Sequence, residues 1–226
     1  MPDQLSININ DHQRVTGNLY KAGARGRSGI TLILGHGAGS GQMSSFMVNF
    51  SNELASRGID TVTFNFLYTE LGRGAPDRND ALEACYRAVT ESVRKLSKLK
   101  NNKLAIGGKS MGGRIASQVA ATGEVADIAG LVFLGYPLHP PGNPEKLRSA
   151  HLPNIKSPML FIQGSRDTFG TEAELRPIVK KLRGRATLYV VEGGDHSLKV
   201  SRNAEKQAEV YKTVQDEIAS WLKQIT

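Results

Sequence analysis

Short apolar runs alternate with longer amphipathic segments along most of the chain. The runs are typical of strands buried on both faces of a sheet, whereas the segments between them carry apolar residues at helical spacing. The predicted buried strands are 31–34, 60–66, a strand at Leu104, 130–134, 159–163 and 187–191. The predicted helices are one from Phe46 to a stop at Gly58, then 78–99, 114–121, 171–182 and 203–224, with a short one at 144–150.

The first twenty residues follow a different pattern. Leu5 to Ile9 alternates apolar and polar residues, and Arg14 to Tyr20 partly repeats the alternation after Asn10-Asp11-His12. Two such segments around polar turn residues predict an antiparallel hairpin at a sheet edge.

Strands that alternate with helices indicate an α/β fold with a mostly parallel sheet and helices on both faces. The 226 residues suffice for one such domain, and no linker, repeat or low-complexity tract interrupts them, so we expect a single domain over residues 1–226. Two stretches lack this pattern: 67–76 is predicted to be an irregular loop, and 136–158 is rich in proline and turn residues. Sites in such sheets form at the carboxyl ends of the strands.

Composition narrows the function classes. The formal net charge is +8, but the basic residues are scattered and no nucleic-acid-binding motif accompanies them, so we expect no nucleic-acid partner. The only cysteine, Cys85, lies in a helical pattern and is interpreted as a small buried residue. Met1 to Asn10 has no signal-peptide pattern, and no apolar run is long enough to span a membrane. We therefore expect a cytoplasmic protein that binds no membrane.

The central motif is Gly108-Lys109-Ser110-Met111-Gly112, which follows the Leu104 strand and precedes a helix. This G-x-S-x-G pattern in a strand–turn–helix context is typical of a nucleophile elbow, in which the serine lies at the apex of a sharp turn. An ordinary glycine-rich turn is the alternative. A phosphate-binding loop is excluded because Lys103 stands where its first glycine is required. We interpret Ser110 as a nucleophile.

A serine nucleophile needs a base and an orienting acid. His196 follows the last strand in a glycine-rich loop, and Asp167 follows the strand before it. The order Ser110, Asp167, His196 is the one expected for this elbow in an α/β sheet. His139 is the alternative base, and Asp195 is the alternative acid.

An oxyanion hole needs main-chain N–H donors. We expect one from Met111 and one from Ala38, since His36-Gly37-Ala38-Gly39 follows the strand at 31–34 and is similar to the HGGG type of oxyanion loop. Gly37 and Gly39 are the alternatives to Ala38. A dinucleotide fingerprint is excluded because Ser40 or Gln42 occupies its last glycine position.

Other residues near these strand ends are candidates for secondary roles. His36 is expected to hold its loop by hydrogen bonds, and Lys109 or Arg114 to bring positive charge to the site, with the binding of a neighbouring loop as the alternative for Arg114. No spaced His, Cys or carboxylate cluster indicates a metal, and we expect no cofactor. The candidate substrate-binding residues are His36, Gly37, Tyr68, Tyr136 and His139, with Leu71 and Leu138 as further candidates for the pocket wall. Packing within the loops is the alternative for the two tyrosines, the two leucines and His139.

With these motifs in place, the chain resembles the α/β-hydrolase superfamily from Ser6 to the final helix, and most closely its small dienelactone-hydrolase-like branch. The resemblance rests on the G-K-S-M-G elbow and the H-G-A-G loop. It implies an eight-stranded sheet whose second strand is antiparallel to the rest, with Ser110, Asp167 and His196 as nucleophile, acid and base. Dienelactone hydrolases themselves are similar in fold but carry cysteine where this chain has Ser110. The short interval from Leu134 to Pro158 leaves no room for a large cap domain.

The expected function is that of a serine hydrolase, a carboxylesterase or thioesterase that cleaves a small ester or thioester through an acyl-serine intermediate. Two alternatives stay open: a hydrolase-fold binding or scaffold protein with little turnover, and an acyltransferase that uses the same triad. The sequence does not distinguish a monomer from a homodimer.

Overall fold

The computed structural model describes all 226 residues and has one eight-stranded sheet. The strands are β1 (Asp3–Asn8), β2 (Arg14–Tyr20), β3 (Ile30–Gly35), β4 (Ile59–Phe64), β5 (Lys103–Lys109), β6 (Ile128–Leu134), β7 (Met159–Gly164) and β8 (Ala186–Val191). The helices are α1 (Ser45–Ser56), α2 (Leu67–Glu70), α3 (Asn79–Arg94), α4 (Met111–Thr122), α5 (Glu172–Lys181) and α6 (Ala204–Ile225), with a 3₁₀ turn at Leu152–Asn154.

The strand order is β1-β2-β4-β3-β5-β6-β7-β8. Strand β2 pairs antiparallel with both β1 and β4, and every other pair in the sheet is parallel. The expected mostly parallel sheet with an antiparallel second strand is therefore confirmed, as is the hairpin at its edge.

Two buried apolar clusters lie on opposite faces of the sheet. In β3, Leu32 and Leu34 pack with α1 and α6, whereas Ile33 packs with α3 and α4. Successive side chains of a strand point to opposite faces, so a strand that is apolar at every position needs helices on both sides. Burial of both faces of these strands therefore explains the continuous apolar runs in the sequence.

Three elements differ from their predictions. Helix α3 ends at Arg94 rather than at residue 99, because successive i→i−3 turns carry the chain on and bury Leu99 in the core. The loop at 67–76 contains the one-turn helix α2. The helix predicted at 144–150 is absent.

Tertiary contacts explain that absence. The main-chain N–H of Arg148 donates to the carbonyl of Leu138, and the carbonyl of Arg148 accepts from the Tyr136 hydroxyl, at 2.8 Å each. These groups would otherwise be free for a helix. The interval between β6 and β7 thus holds turns and one 3₁₀ turn, which agrees with the predicted lack of a large cap.

Helix α3 supports the strand that leads to Ser110 through a fully buried hydroxyl. The Tyr86 hydroxyl lies 2.7 Å from the carbonyl oxygen of Gly107 and 3.0 Å from that of Ile33, and it accepts the N–H of Gly107 at 3.0 Å. One side chain therefore joins β3 to β5 immediately before the elbow.

Replacing Tyr86 by phenylalanine is expected to lower the free energy of unfolding by about 1–3 kcal/mol, because the Gly107 N–H and two carbonyls lose a buried partner. Urea unfolding followed by fluorescence of Trp221, the only tryptophan, measures this change. Tyr189→Phe is the matched control, since that hydroxyl makes no hydrogen bond within the protein and lies on a half-buried strand. Equal effects of the two substitutions would contradict the bridging role of Tyr86.

Candidate active site

The elbow at Ser110 has the backbone geometry that its sequence predicts. Ser110 lies between β5 and α4 with φ 50° and ψ −115°, a conformation that side-chain-bearing residues rarely adopt. The chain also passes very close to the end of β3: a Cβ at Gly108 or at Gly112 would overlap the carbonyl oxygen of Gly35. The motif glycines are therefore required by the approach of two backbone segments.

The three predicted triad side chains form one hydrogen-bonded chain. The Ser110 Oγ lies 2.8 Å from His196 Nε2, and His196 Nδ1 lies 2.8 Å from Asp167 Oδ2 and 3.0 Å from Oδ1. Since Asp167 only accepts, its partner Nδ1 carries the proton, and Nε2 is left free to accept the serine proton. Ser110 follows β5, Asp167 follows β7 and His196 follows β8, so all three lie past the carboxyl ends of strands.

Asp167 is fully buried and surrounded by donors. Besides His196, its carboxylate accepts from the Gln163 side-chain amide at 2.8 Å and from the Phe169 main-chain N–H at 2.8 Å. Asp195, the alternative acid, instead accepts the N–H groups of Ser197 and Lys199 within its own exposed loop. The structure thus places Asp167, and not Asp195, on the imidazole.

Sequence reasoning missed the roles of Gln163 and Phe169. Gln163 is oriented by the Tyr136 N–H, which donates to its side-chain oxygen at 2.8 Å. A polar residue near the end of an otherwise apolar buried strand was the available signal for Gln163. The Phe169 ring stacks on the His196 imidazole with centroids 4.1 Å apart, and no pattern in the sequence indicates this contact.

The two expected oxyanion donors have no hydrogen-bond acceptor within the protein. The main-chain N–H groups of Ala38 and Met111 make no hydrogen bond within the protein, and Met111 begins the 12-residue helix α4. The positive end of this helix dipole therefore lies beside Ser110. Ala38 is exposed at the cleft that also contains Ser110.

His36 holds the loop before Ala38. Its Nδ1–H donates to the carbonyl of Gly37 at 2.8 Å, and its Nε2 accepts the N–H of Phe66 at 3.1 Å. Burial lowers the pKa of His36, so the neutral ring that these bonds require is favoured. The ring is fully buried and does not contact the cleft.

The cleft over Ser110 has a volume of about 550 Å³ and is open to solvent. Its aromatic lining residues are Phe46, Phe169 and Tyr211, and Gly37, a candidate substrate-binding residue, lines it too. Its other lining residues are Ala38, Ser40, Ser44, Ser45, Met47, Lys109, Ser110, His196, Ser197 and Lys199.

The remaining candidates for substrate contact do not line this cleft. Tyr68, Tyr136 and Leu138 are buried in the apolar cluster that packs α3 and α4 on the sheet, where their apolar area contributes to the core. Leu71 is exposed but lies outside the cleft. These predictions were wrong because a loop position in the sequence does not indicate which way its side chain points.

His139, the alternative base, is also buried and lies away from Ser110. Its Nδ1 contacts the carbonyl of Pro140 at 2.9 Å, and its Nε2 contacts the Glu174 carboxylate at 3.1 Å. Both ring nitrogens are engaged at a helix N-terminus, so His139 serves the packing of its loop. It neither lines the cleft nor reaches the serine.

The two basic residues near the elbow differ. Arg114 donates to Gln118 of its own helix α4 and to Asn79 of α3, and it therefore binds these two helices rather than the cleft. Lys109 lines the cleft, and its ammonium donates to the main-chain carbonyl of His196 at 2.6 Å. The structure contains no group of three or more His, Cys, Asp or Glu side chains placed to hold a metal. None of its helices combines the length and apolar character needed to cross a bilayer.

Comparison with known proteins agrees with this fold. The chain superposes on a dienelactone hydrolase from Anabaena variabilis with a TM-score of 0.77 at 19% identity, over 99% of this chain and 97% of that one. It superposes on an α/β serine hydrolase without a lid from Xanthomonas campestris with a TM-score of 0.76 at 18% identity, over 97% and 94%. For the esterase Pf2001 of Pyrococcus furiosus the TM-score is 0.74 at 17% identity, over 99% and 90%.

At these identities the structural likeness shows the fold, and a sequence-based family model supplies the membership. A model described as an alpha/beta hydrolase domain matches residues 28–223, which is most of the chain. The resemblance noted from the elbow and the H-G-A-G loop is confirmed at this level: the chain belongs to the α/β-hydrolase domain family.

Proposed function

We propose that the chain is a serine hydrolase that cleaves small carboxylic esters or thioesters through an acyl-Ser110 intermediate. The observation that carries this proposal is the continuous hydrogen-bonded chain from Ser110 through His196 to the buried carboxylate of Asp167. Such a chain raises the nucleophilicity of a hydroxyl by providing a base in the correct tautomer.

The reaction has two stages. His196 Nε2 accepts the Ser110 proton as Oγ attacks the carbonyl carbon, and the N–H groups of Ala38 and Met111 bind the oxygen that becomes negative. The imidazolium then gives its proton to the leaving alcohol or thiol, leaving acyl-Ser110. Water, deprotonated by the same His196, attacks the acyl group and regenerates the serine.

Two features favour turnover over a role as a scaffold. Ser110 adopts a strained backbone conformation, which costs on the order of 1–3 kcal/mol. The N–H groups of Ala38 and Met111 have no protein acceptor, although a binding surface does not need unpaired donors beside a serine. The open cleft supports hydrolysis rather than acyl transfer, since water reaches the acyl group without displacing a lid.

The cleft supports substrates of modest size with an apolar or aryl acyl group. Three aromatic side chains are among the residues that line the cleft with Ser110, and the volume of about 550 Å³ suits a small molecule. We assign the acyl group to these aromatic side chains and the leaving group to the open side of the cleft.

Labelling with a fluorophosphonate tests the proposal, because this reagent phosphonylates only activated serines. We expect one adduct per chain, located on Ser110 by peptide mapping, and none after heat unfolding. The chain has an internal comparison: Ser117 Oγ also lies 2.7 Å from a histidine, His151 Nε2, but is fully buried and outside the cleft. Folded protein that stays unlabelled, or that is labelled elsewhere, would contradict an activated Ser110.

A further inference from the structure

Lys109 is the last residue of β5 and stands directly before Ser110, yet its side chain reaches the loop that carries His196. The ammonium passes over Gly135 at the end of β6. A Cβ on Gly135 would lie 2.6 Å from the His196 carbonyl oxygen and 3.2 Å from Lys109 Nζ, so this glycine leaves the space in which the bond forms. The elbow, the end of β6 and the loop after β8 meet at this ammonium.

No other residue near the elbow replaces the hydrogen bond from Lys109 to the His196 loop. The loop after β8 is otherwise bound by the acid side of the site and by helix α6. On the acid side, the Arg166 N–H donates to Gly194 and the Arg166 guanidinium donates to Gly193. From α6, the Tyr211 hydroxyl donates to the Ser197 carbonyl at 3.2 Å and the Gln207 amide to the Leu198 carbonyl at 3.1 Å. Apart from the Ser110–His196 bond itself, the Lys109 bond is the only hydrogen bond that joins the elbow residues 109–111 to the loop at 192–200.

The Lys109 ammonium lies in a buried environment that disfavours its charged form. Burial lowers the pKa of Lys109 to about 8, and the carboxylates of Asp167 and Asp195 only partly offset this effect. Neither carboxylate lies within 4.0 Å of the ammonium. The other groups that face it are the His196 main chain and the Phe46 ring, whose centroid lies 6.0 Å from Nζ. The second lysine of the cleft is Lys199.

We propose that Lys109 is a positioning residue for the reaction proposed above, and that its ammonium holds the His196 loop so that Nε2 stays within reach of the Ser110 hydroxyl. The inference rests on that proposed function. The bonds from the acid side and from α6 hold the loop against β7 and α6 but do not join it to the elbow, whereas the Lys109 bond fixes the loop relative to the serine itself. Proton transfer depends steeply on this distance.

Lys109→Met tests the inference, because methionine keeps much of the apolar stem and removes the donor. Loss of a charge-assisted hydrogen bond predicts a fall in kcat of about 10–100-fold on a small aryl ester, with KM changed less than about 3-fold. The stability of Lys109→Met distinguishes a positioning role of Lys109 from a structural one. Since the pKa of Lys109 is lowered on folding, the buried charge costs stability below pH 8, and the midpoint of urea unfolding at pH 7 should stay unchanged or rise.

The pH profile gives a second readout. The wild-type kcat should fall as the pH rises above about 8, where the ammonium loses its proton and becomes a weaker donor. The lower kcat of Lys109→Met should show no such fall. Asp167, Asp195 and His196 are present near position 109 in both proteins and therefore do not account for a difference between the profiles.

Chemical rescue supplies the matched control. In Lys109→Cys, the thiolate displaces bromide from 2-bromoethylamine and forms an aminoethyl thioether that restores a primary ammonium at lysine length. Alkylation with 1-iodopropane gives a neutral S-propyl adduct of the same length that has no donor. The native Cys85 is buried and burial raises its pKa to about 12, so the thiol at position 109 in the cleft reacts selectively.

We expect the aminoethyl adduct to regain at least about 10-fold in kcat over the neutral adduct, which corresponds to the lower bound for one charge-assisted bond. Equal activity of the two adducts, an unchanged kcat in Lys109→Met, or an effect on KM alone would overturn the positioning role. Wild-type protein whose Ser110 is not labelled by a fluorophosphonate would instead contradict the proposed hydrolase, so the two failures are distinguishable.

Discussion

Replacing Asp167 by asparagine is expected to lower kcat for ester hydrolysis by about 10⁴-fold, through the wrong tautomer of His196. An amide NH₂ beside Nδ1 donates to it, which moves the ring proton to Nε2. The nitrogen that has to accept the Ser110 proton then carries one itself. The measurement is steady-state hydrolysis of a small aryl ester, together with the rate of fluorophosphonate labelling.

The surroundings of Asp167 make this substitution difficult to accommodate. Oδ2 accepts from Gln163 and Oδ1 accepts from the Phe169 N–H, so an asparagine directs its amide hydrogens toward a donor in either orientation. Gln163 is not free to turn, because its side-chain oxygen accepts the Tyr136 N–H. We therefore expect Asp167→Asn to lower stability as well as activity.

Asp195→Asn is the matched control. Its Oδ1 accepts the N–H groups of Ser197 and Lys199, and an asparagine oxygen makes the same two bonds. The two hydrogen bonds to an asparagine oxygen are weaker than those to the carboxylate, but neither involves Ser110, His196 or the substrate. Activity should therefore change less than about 3-fold. If Asp195→Asn were the more damaging substitution, the acid would be misassigned.

The sequence predicted the sheet and the meeting of the three side chains for the same physical reason. Strands buried on both faces must be apolar throughout, so their ends are visible in the sequence. Parallel strands end at one edge, which brings residues that follow different strands together. Ser110, Asp167 and His196 are separated widely in the chain, but each follows such a strand end, and the structure places them within hydrogen-bond distance.

The contacts that tune the site were not predictable in this way. The sequence predicts Lys109 as a charge near the site, but its hydrogen-bond acceptor is a main-chain oxygen in a loop far along the chain. The sequence predicts Tyr68 and Tyr136 at the pocket, whereas the structure buries both. Loop side chains point wherever tertiary packing and hydrogen bonding are best satisfied, and neither periodicity nor spacing records that direction.

Gly112→Ala is expected to destabilise the fold by about 3 kcal/mol or more, at the upper end of the range for overpacking. The backbone of Gly112 is helical, so the added methyl group is not strained by its own torsions. It overlaps the carbonyl group of Gly35, and even the Gly35 Cα would lie only 2.8 Å away. Both partners are main chain, in β3 and in α4, and neither can move like a flexible side chain.

Gly74→Ala is the control, because a Cβ there meets nothing within 4 Å, and its unfolding midpoint in urea should match that of the wild type. The comparison also tests how the elbow is built. Helix α4 must approach the end of β3 this closely for the Met111 N–H and the Ala38 N–H to bind one oxyanion. If Gly112→Ala retains a wild-type midpoint, α4 and β3 are farther apart than the structure places them, and the shared oxyanion hole loses its geometric basis.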